Sequence, residues 1–310
     1  MEHILKKQLK KKGFDYSWPK IYLDRIVCPL CNTKQFKKLY PNHYLRIVQC
    51  ANCNLIYTNP RLKEKYLKKL YSEEYFQNEH SSLMGYDNYV QDEENIKKTF
   101  HRRLSHIEKH IKPGKLLDVG CATGFFMKAA QERKWDVEGI EISDYAADYA
   151  QKQFGFTVYK KDIHTVKLPK EQYDLITLWD VIEHVPDPIK TLQRAYRLLK
   201  KNGILALTTP DAGSIPAKLT KHKWIGYKLS DEHITYFSKQ TINDLLKKSG
   251  FQQADFSHTG KYVNYSLFAN RVGLYNKSLG TMLNPLGTLL KNPSFYISSF
   301  DIMCVYAKKA

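Results

Sequence analysis

Four groups of residues in this chain have the types and spacing to do chemistry. The first lies within Lys115–Gly124, which reads K-L-L-D-V-G-C-A-T-G. A short apolar run ends at Asp118, and Gly120 and Gly124 follow with Cys121 between them. Glycines at such a turn let the backbone bend tightly and approach a ligand closely. A pyrophosphate loop needs G-x-G-x-x-G. The spacing here, with an acid two residues ahead of the first glycine, suits a ligand with adenosine and a charged amino-acid tail but no phosphate. Glu141 and Asp162 stand near the ends of the next two apolar runs. A carboxylate at the position of Glu141 can accept two hydrogen bonds from ribose hydroxyls.

The second group is Cys28-x2-Cys31 and Cys50-x2-Cys53, with eighteen residues between the pairs. Two such knuckles place four thiolates around one Zn²⁺ and leave no open coordination position, so the role is structural. Two disulfides are the competing reading, which a cytoplasmic setting disfavours. In the third group, Asp180, Glu183 and His184 have i, i+3, i+4 spacing. On a helical turn that puts two carboxylates and an imidazole on one face. The fourth is Glu232-His233. Histidine suits general-base work because its unperturbed pKa is near neutral. The alternative is a histidine that caps the following helix or orders its loop.

These residues need elements to hold them. Pro113-Gly114 breaks any preceding helix, and strand, tight turn and helix follow. Further strands are expected at Trp135–Ile142, Phe156–Lys161, Tyr173–Val181, Ile204–Thr209, Phe251–His258 and Ile302–Lys308. Ser143 is placed to cap a helix that Gly155 stops. Ile189, Leu192, Tyr196 and Leu199 give the next helix its buried stripe, with Asn202-Gly203 ending it. Thr241–Ser249 is a helix closed by Gly250. This alternation predicts an α/β fold with a parallel sheet covered by helices on both faces. Upstream, Gln91–Ile111 is apolar at Ile96, Phe100, Leu104, Ile107 and Ile111. That pattern predicts a helix that packs beside the sheet and closes the pocket. Leu62–Tyr71 reads as a short amphipathic helix and Tyr75–Asn88 as a loop or lid. The chain thus divides into a basic arm (1–26), a zinc ribbon (27–60), a helical link or lid (61–112) and a nucleotide-binding domain (113–310).

The chain has 310 residues, enough for one large and one small domain. No apolar run approaches the roughly 18–20 residues that cross a bilayer, so no membrane insertion is expected. Met1–Lys12 is basic with no apolar segment behind it, unlike a secretory signal. The expected location is the cytoplasm. A net charge of +18 invites a nucleic-acid reading. Only nine of the 49 basic residues are Arg, the side chain suited to bidentate phosphate and base contacts, and the Lys are spread over the chain. Solvated surface charge is therefore preferred to a nucleic-acid face.

The loop D-V-G-C-A-T-G resembles the first motif of the class I S-adenosylmethionine (SAM) methyltransferases. Trp179-Asp-Val-Ile-Glu-His-Val185 is similar to the D-V-L/I-E-H-V segment of many members. Glu232-His-Ile-Thr-Tyr-Phe-Ser238 resembles a segment of zinc-ribbon methyltransferases, some of which act on sugar nucleotides. The resemblance implies a Rossmann-like, seven-stranded class I methyltransferase fold with a small N-terminal zinc ribbon. It implies SAM as cofactor and structural Zn²⁺ on Cys28, Cys31, Cys50 and Cys53. Glu141 would hold the ribose and Asp162 the adenine amino group. Ile142 and Ile163 would sandwich the adenine, and Asp118 with Gly120 would line the methionine part. Cys121, Gly124 and Trp179 belong to the same motifs. In the similar sugar C-methyltransferases the Glu-His pair is assigned base chemistry, which puts His233, oriented by Glu232, forward as the base.

The expected reaction is methyl transfer to a small acceptor, a hydroxyl or carbon of a sugar or nucleotide sugar. The sugar C-methyltransferases carry a further C-terminal domain, so here the acceptor pocket is expected from the ribbon, Tyr75–Asn88 and residues 211–240. A metal-assisted O-methyltransferase acting on RNA or a quinone-type phenol is the alternative, because Asp180, Glu183 and His184 resemble a Mg²⁺-binding E-x-x-E-H. Asp180 is one methylene shorter than the first Glu, and the trio is read as structural or substrate-lining. A third reading is a ribbon-bearing binding protein with a relic SAM domain, against which the intact loop and acidic positions argue.

Overall fold

The structure, a computed structural model, describes residues 20–40, 46–67, 92–228, 232–275, 277–289 and 291–310. Residues 1–19 of the basic arm and the whole Tyr75–Asn88 segment lie outside the described residues; of the expected Leu62–Tyr71 helix residues 62–67 are described, where Leu62 pairs with Leu23 in a short strand and only Glu64–Leu67 is helical.

The main sheet has seven strands: β1 (Lys115–Val119), β2 (Asp136–Ile140), β3 (Thr157–Tyr159), β4 (Tyr173–Trp179), β5 (Leu199–Pro210), β6 (Gln253–His258) and β7 (Ile302–Lys308). Their order is β6-β7-β5-β4-β1-β2-β3. β1 to β5 pair in parallel, as the βα alternation requires. The last strand departs from the all-parallel expectation: β7 runs antiparallel to both β5 and β6. Residues 259–301 leave and re-enter the sheet at one end, where Thr259 N–H donates to Ile302 O at 3.0 Å. A chain that returns from the end it left must run backwards. β4 is central and buries all but one of its residues, which is why it reads as a nearly continuous apolar run.

Helices cover both faces. α1 (Glu93–Ile107) buries Ile96, Phe100, Leu104 and Ile107, and α2 (Phe125–Glu132) buries Phe125, Phe126, Ala129 and Ala130. These stripes meet in one cluster with Trp179. α3 (Asp144–Phe154) ends where expected, at Gly155 with φ 71°. Ser143 occupies its cap position without a side-chain cap bond, and its backbone N–H is taken by Glu141 instead. α4 (Pro188–Leu198) starts at Pro188, with Asp187 accepting from Lys190 N–H. It stops at Leu198, before Asn202, because Leu199 is already extended and pairs with Tyr173. α5 (Ile215–Thr220) follows β5, and α6 (Lys239–Lys248) opens with a Ser238–Thr241 capping box. Between β6 and β7, a two-stranded ribbon (Lys261–Asn264 with Ser294–Ile297) carries a hairpin of α7 (Tyr265–Tyr275) and α8 (Lys277–Leu289).

The cysteine region forms a second sheet of four strands. Phe36–Lys38, Ile47–Cys50 and Ile56–Thr58 are antiparallel neighbours, and the fourth strand, Thr235–Tyr236, comes from the far end of the chain. Tyr57 pairs with Thr235 and Ile56 with Tyr236, while Asp211 bridges to Phe237 from the end of β5. The sheet of the 27–60 segment is thus completed by the segment that carries His233.

Candidate active site

A cavity of about 770 Å³ opens over the carboxyl ends of β1, β2 and β4. Open α/β sheets bind ligands there because loops and helix N-termini converge at that edge. Its lining includes Asp118, Gly120, Cys121, Glu141, Ile142, Asp162, Ile163 and Trp179 at one end, and Glu232 and His233 at the other. The structure therefore brings the two expected residue groups into one space.

Gly120 has φ 76°, and a Cβ built on it would lie 2.6 Å from Val181 Cγ2, so only glycine fits without strain. Gly124 does not line the cavity. Its φ of 84° serves the turn at the cap of α2, and an added Cβ would sit 3.0 Å from Ala150 Cβ. Asp118 is buried and accepts from Thr177 Oγ1 at 2.7 Å, and burial outweighs that bond and pushes its pKa up to about 7. Glu141 is buried too, with its pKa raised by burial. Its two oxygens accept from Ala122 N–H at 2.9 Å and Ser143 N–H at 2.8 Å, which ties the glycine loop to the end of β2. Each oxygen keeps a further lone pair for a hydroxyl donor. Asp162 accepts from His164 N–H at 2.8 Å.

Arg103 also lines this end and carries a signal not singled out in the sequence reading. It is only 7% exposed, its guanidinium carbon lies 4.9 Å from the Trp179 ring and 5.3 Å from the Phe100 ring, and its Nε has no hydrogen-bond partner. Among the described residues no carboxylate comes within 4.0 Å of it. A buried, uncompensated cation inside a cavity fits a ligand that brings its own anion. Arg103 follows Arg102 on the helix α1, and its inward direction is the one sequence cue: it lies three residues after Phe100, on the buried stripe.

At the other end, the ligand atoms of Glu183, His184 and His233 all lie within 4.8 Å of one another. The His184 and His233 rings meet edge to face with centroids 4.7 Å apart. Glu183 is 1% exposed, and neither of its oxygens has a hydrogen-bond partner. Burial raises its pKa well above the usual carboxylate range. Burial also lowers both imidazoles, His184 to about 4 and His233 well below its ordinary value. His184 Nδ1 is bonded to the Glu232 carbonyl at 3.0 Å, and His233 Nδ1 has no partner. Glu183 is thus a carboxylate grouped with His233, and the Glu232 backbone fixes His184. One expectation changes here. Asp180 leaves the i, i+3, i+4 trio because its φ is 54° and its carboxylate accepts from Thr208 Oγ1 at 2.8 Å; His233 takes its place. The segment between β6 and β7 adds an apolar stretch of wall, Val263, Phe268, Val272 and Ile297, together with Lys261, Ser299 and Asp301.

Beyond the cavity, the four ribbon sulfurs also lie within 4.8 Å of one another, with Cys28–Cys53 and Cys31–Cys50 at 3.5 Å. A disulfide needs about 2.05 Å. The tetrahedron of Zn–S bonds has edges of about 3.8 Å. Asn52 and Cys53 N–H both point at Cys50 Sγ at 3.4 Å, as a knuckle's amides do toward a thiolate.

A sequence profile described as a methyltransferase domain matches residues 86–254, more than half of the chain. Among curated proteins, the ubiquinone biosynthesis O-methyltransferase of Coxiella burnetii is 32% identical over 114 residues, 34% of this chain and 49% of its own length. That of Pseudomonas entomophila is 33% identical over 115 residues, 34% of this chain and 50% of its own. The chain spans about half the length of the curated relatives it matches. Among solved structures, Haemonchus contortus phosphoethanolamine N-methyltransferase 2 in complex with S-adenosyl-L-methionine aligns with a TM-score of 0.50 at 15% identity. The alignment covers 82% of this chain and 62% of that one and concerns the fold alone.

Proposed function

The chain belongs to the methyltransferase-domain family, and from that membership we propose that it transfers a methyl group from SAM to a hydroxyl of a small, largely apolar acceptor. The observation that carries the proposal is the single cavity with two chemically different ends. One end has the features SAM requires. Arg103 would hold the methionine carboxylate, Asp118 and Gly120 would run along the methionine part, and Glu141 would take the ribose hydroxyls. Asp162, Ile142 and Ile163 would enclose the adenine. SAM, when bound, supplies a methyl group on an electrophilic sulfonium. The remaining work for the protein is alignment and removal of one proton.

His233 would receive that proton at Nδ1, with Glu183, whose charged form burial disfavours, beside it. The relatives' name supports a phenolic hydroxyl, and the apolar wall supports a ring or chain over the sugar that the ribbon resemblance implies. A second reading rests on Glu183, whose two unpartnered, buried oxygens beside two neutral imidazoles make a donor set for a divalent cation. There the cation would acidify the acceptor hydroxyl, and a histidine of such low proton affinity would serve as a ligand. Methyl transfer from labelled SAM to catechol and to a sugar nucleotide tests both readings, run with His233→Ala, with Glu183→Gln and with a chelator. Loss of turnover by about 10²–10⁴-fold in His233→Ala alone, with no effect of chelation, supports the base. Loss on chelation and in both variants supports the cation. Turnover that survives every one of these changes refutes the assignment of this end of the cavity. We also propose that Cys28, Cys31, Cys50 and Cys53 hold one structural Zn²⁺.

A further inference from the structure

Among the described residues four buried carboxylates line the cavity: Asp118, Glu141, Glu183 and Asp301. The first three have their places in the reading above, and Asp301 has none. It stands just before β7, is 8% exposed, and has one donor on each oxygen. Trp224 Nε1 donates to Oδ2 at 2.8 Å, and Ser299 Oγ donates to Oδ1. Each oxygen keeps a further lone pair. No Lys, Arg or His nitrogen among the described residues comes within 4.0 Å of this carboxylate, and that includes Lys261 of the same cavity wall.

A neighbouring carboxylate supplies the contrast. Asp211 N–H donates to the Asp301 carbonyl at 2.7 Å, and Asp211 is 6% exposed. Its side chain accepts from Gly213 N–H at 2.8 Å and meets His258 Nε2 at 3.1 Å, and it does not line the cavity. Of two adjacent buried carboxylates, the one outside the cavity lining has an imidazole beside it, and the one within the lining has no basic group. A buried carboxylate without a cation is a cost to the free protein, and a ligand that brings the cation offsets it. Trp224 lines the cavity as well, and two residues on the Gly226 carbonyl meets the His233 imidazole. Asp301 is thereby tied to the His233 end of the cavity through one indole. The segment that ends at Asp301 also supplies Val263, Phe268, Val272 and Ile297 to the lining.

We propose that Asp301 determines acceptor specificity by holding an ammonium group of the acceptor, apart from the hydroxyl that His233 serves, while the acceptor's apolar body lies along Val263, Phe268 and Ile297. The inference rests on the acceptor reading above and names the second polar group that such a molecule carries. A hydroxyl in the same place would supply one donor and no charge, which makes it the poorer fit.

The test is calorimetric binding to the full chain loaded with S-adenosylhomocysteine, so that no turnover intervenes. Tyramine, tyrosol and para-propylphenol are phenols of nearly one shape that carry an ammonium, a hydroxyl and a methyl at the same position. Tyramine should bind at least about tenfold more tightly than para-propylphenol, with tyrosol between them, as expected of a charge-assisted hydrogen bond to a buried partner. Asp301→Asn keeps an oxygen for Trp224 Nε1 and removes the charge. It should lose the preference, with SAM affinity unchanged and the unfolding midpoint at the wild-type value or above. Ser299→Ala removes a donor, keeps the charge and should keep the preference. Equal affinity for the three probes, tighter binding of the propyl compound, or no binding of tyramine overturns the proposal. That comparison uses wild type, so it decides even if Asp301→Asn fails to fold. A tyramine preference that survives in folded Asp301→Asn overturns it as well. Turnover of the same phenols with labelled SAM is read separately. Ammonium preference without methylation supports the role of Asp301 and refutes the phenolic acceptor; methylation without preference does the reverse.

Discussion

Arg103→Met tests the cofactor end of the cavity most directly. The substitution keeps an unbranched apolar side chain against Phe100 and Trp179 and removes the charge. Arg103 is buried and lacks an anionic partner among the described residues, so in the free protein the charge is a cost. The variant should be as stable as wild type or more so, read as an equal or higher midpoint of thermal unfolding. With ligand the sign reverses. A charge-assisted contact to a carboxylate in such a setting is worth about 1.5–3 kcal/mol, so the dissociation constant for SAM should rise about 10–150-fold. Calorimetry with SAM and with 5′-methylthioadenosine, which lacks the amino-acid tail, isolates the contact. Wild type should prefer SAM strongly, and the variant should lose most of that preference while binding methylthioadenosine as before. Equal weakening toward both ligands, or unchanged affinity for SAM, refutes the role given to Arg103. A lower unfolding midpoint refutes the claim that the free cation is uncompensated.

Gly120→Val should abolish detectable SAM binding, because φ 76° and a Cβ 2.6 Å from Val181 Cγ2 admit no branched side chain; unchanged affinity by calorimetry would contradict this. Asp118, with its folded pKa raised to about 7 against an unfolded value near 3.8, holds a proton in the native state that the unfolded chain has released. Its stabilising contribution is therefore full below about pH 4 and is lost as pH rises toward 7, on the order of 4 kcal/mol at most. Thermal midpoints of the ligand-free protein between pH 4 and 7 should fall less steeply in Asp118→Asn, and parallel slopes would exclude the effect. Elemental analysis should find about one zinc per chain, and Cys50→Ser should lose it together with several degrees of unfolding midpoint; metal-free wild-type protein carrying disulfides would refute the zinc site.

The features legible in the sequence were those encoded over a few contiguous residues. The turn at Asp118–Gly124 is specified by its own glycines, and the two knuckles by their own spacing. The strands around them are legible because each is a short apolar run closed by a turn residue. The arrangement at the far end of the cavity was not. His233 meets His184 through contacts distant in sequence, residues 235–236 pairing with Ile56–Tyr57 and Ile234 and Thr235 N–H reaching the Glu183 carbonyl, and no local pattern records them. Helical spacing put Asp180 on one face with Glu183 and His184, but it is the first residue past β4 and takes a left-handed conformation that turns its carboxylate to Thr208. No helix was expected at the α7–α8 hairpin, whose helices contain Gly273, Gly280 and Pro285. In the folded chain two of them are contact points: a Cβ on Gly280 would lie 2.5 Å from Gly273 Cα, so the helices approach too closely for any larger residue.

The borrowed strand Thr235–Tyr236 has a consequence for how the chain can be altered. Thr58 N–H donates to the Ile234 carbonyl, Thr58 Oγ1 to the His233 carbonyl, and Ile234 and Thr235 N–H to the Glu183 carbonyl. The cysteine knuckles, the putting-in-place of His233 and the turn that presents Glu183 are therefore one hydrogen-bonded scaffold. Excising residues 27–60 to obtain a minimal domain would strip the edge from under the imidazole and remove the Thr58 donors to the His233 and Ile234 carbonyls. On the role proposed for His233, the four cysteines would act on that end of the cavity through this scaffold. Oxidising them, or removing the zinc proposed for them, should then lower turnover while SAM affinity stays near wild type.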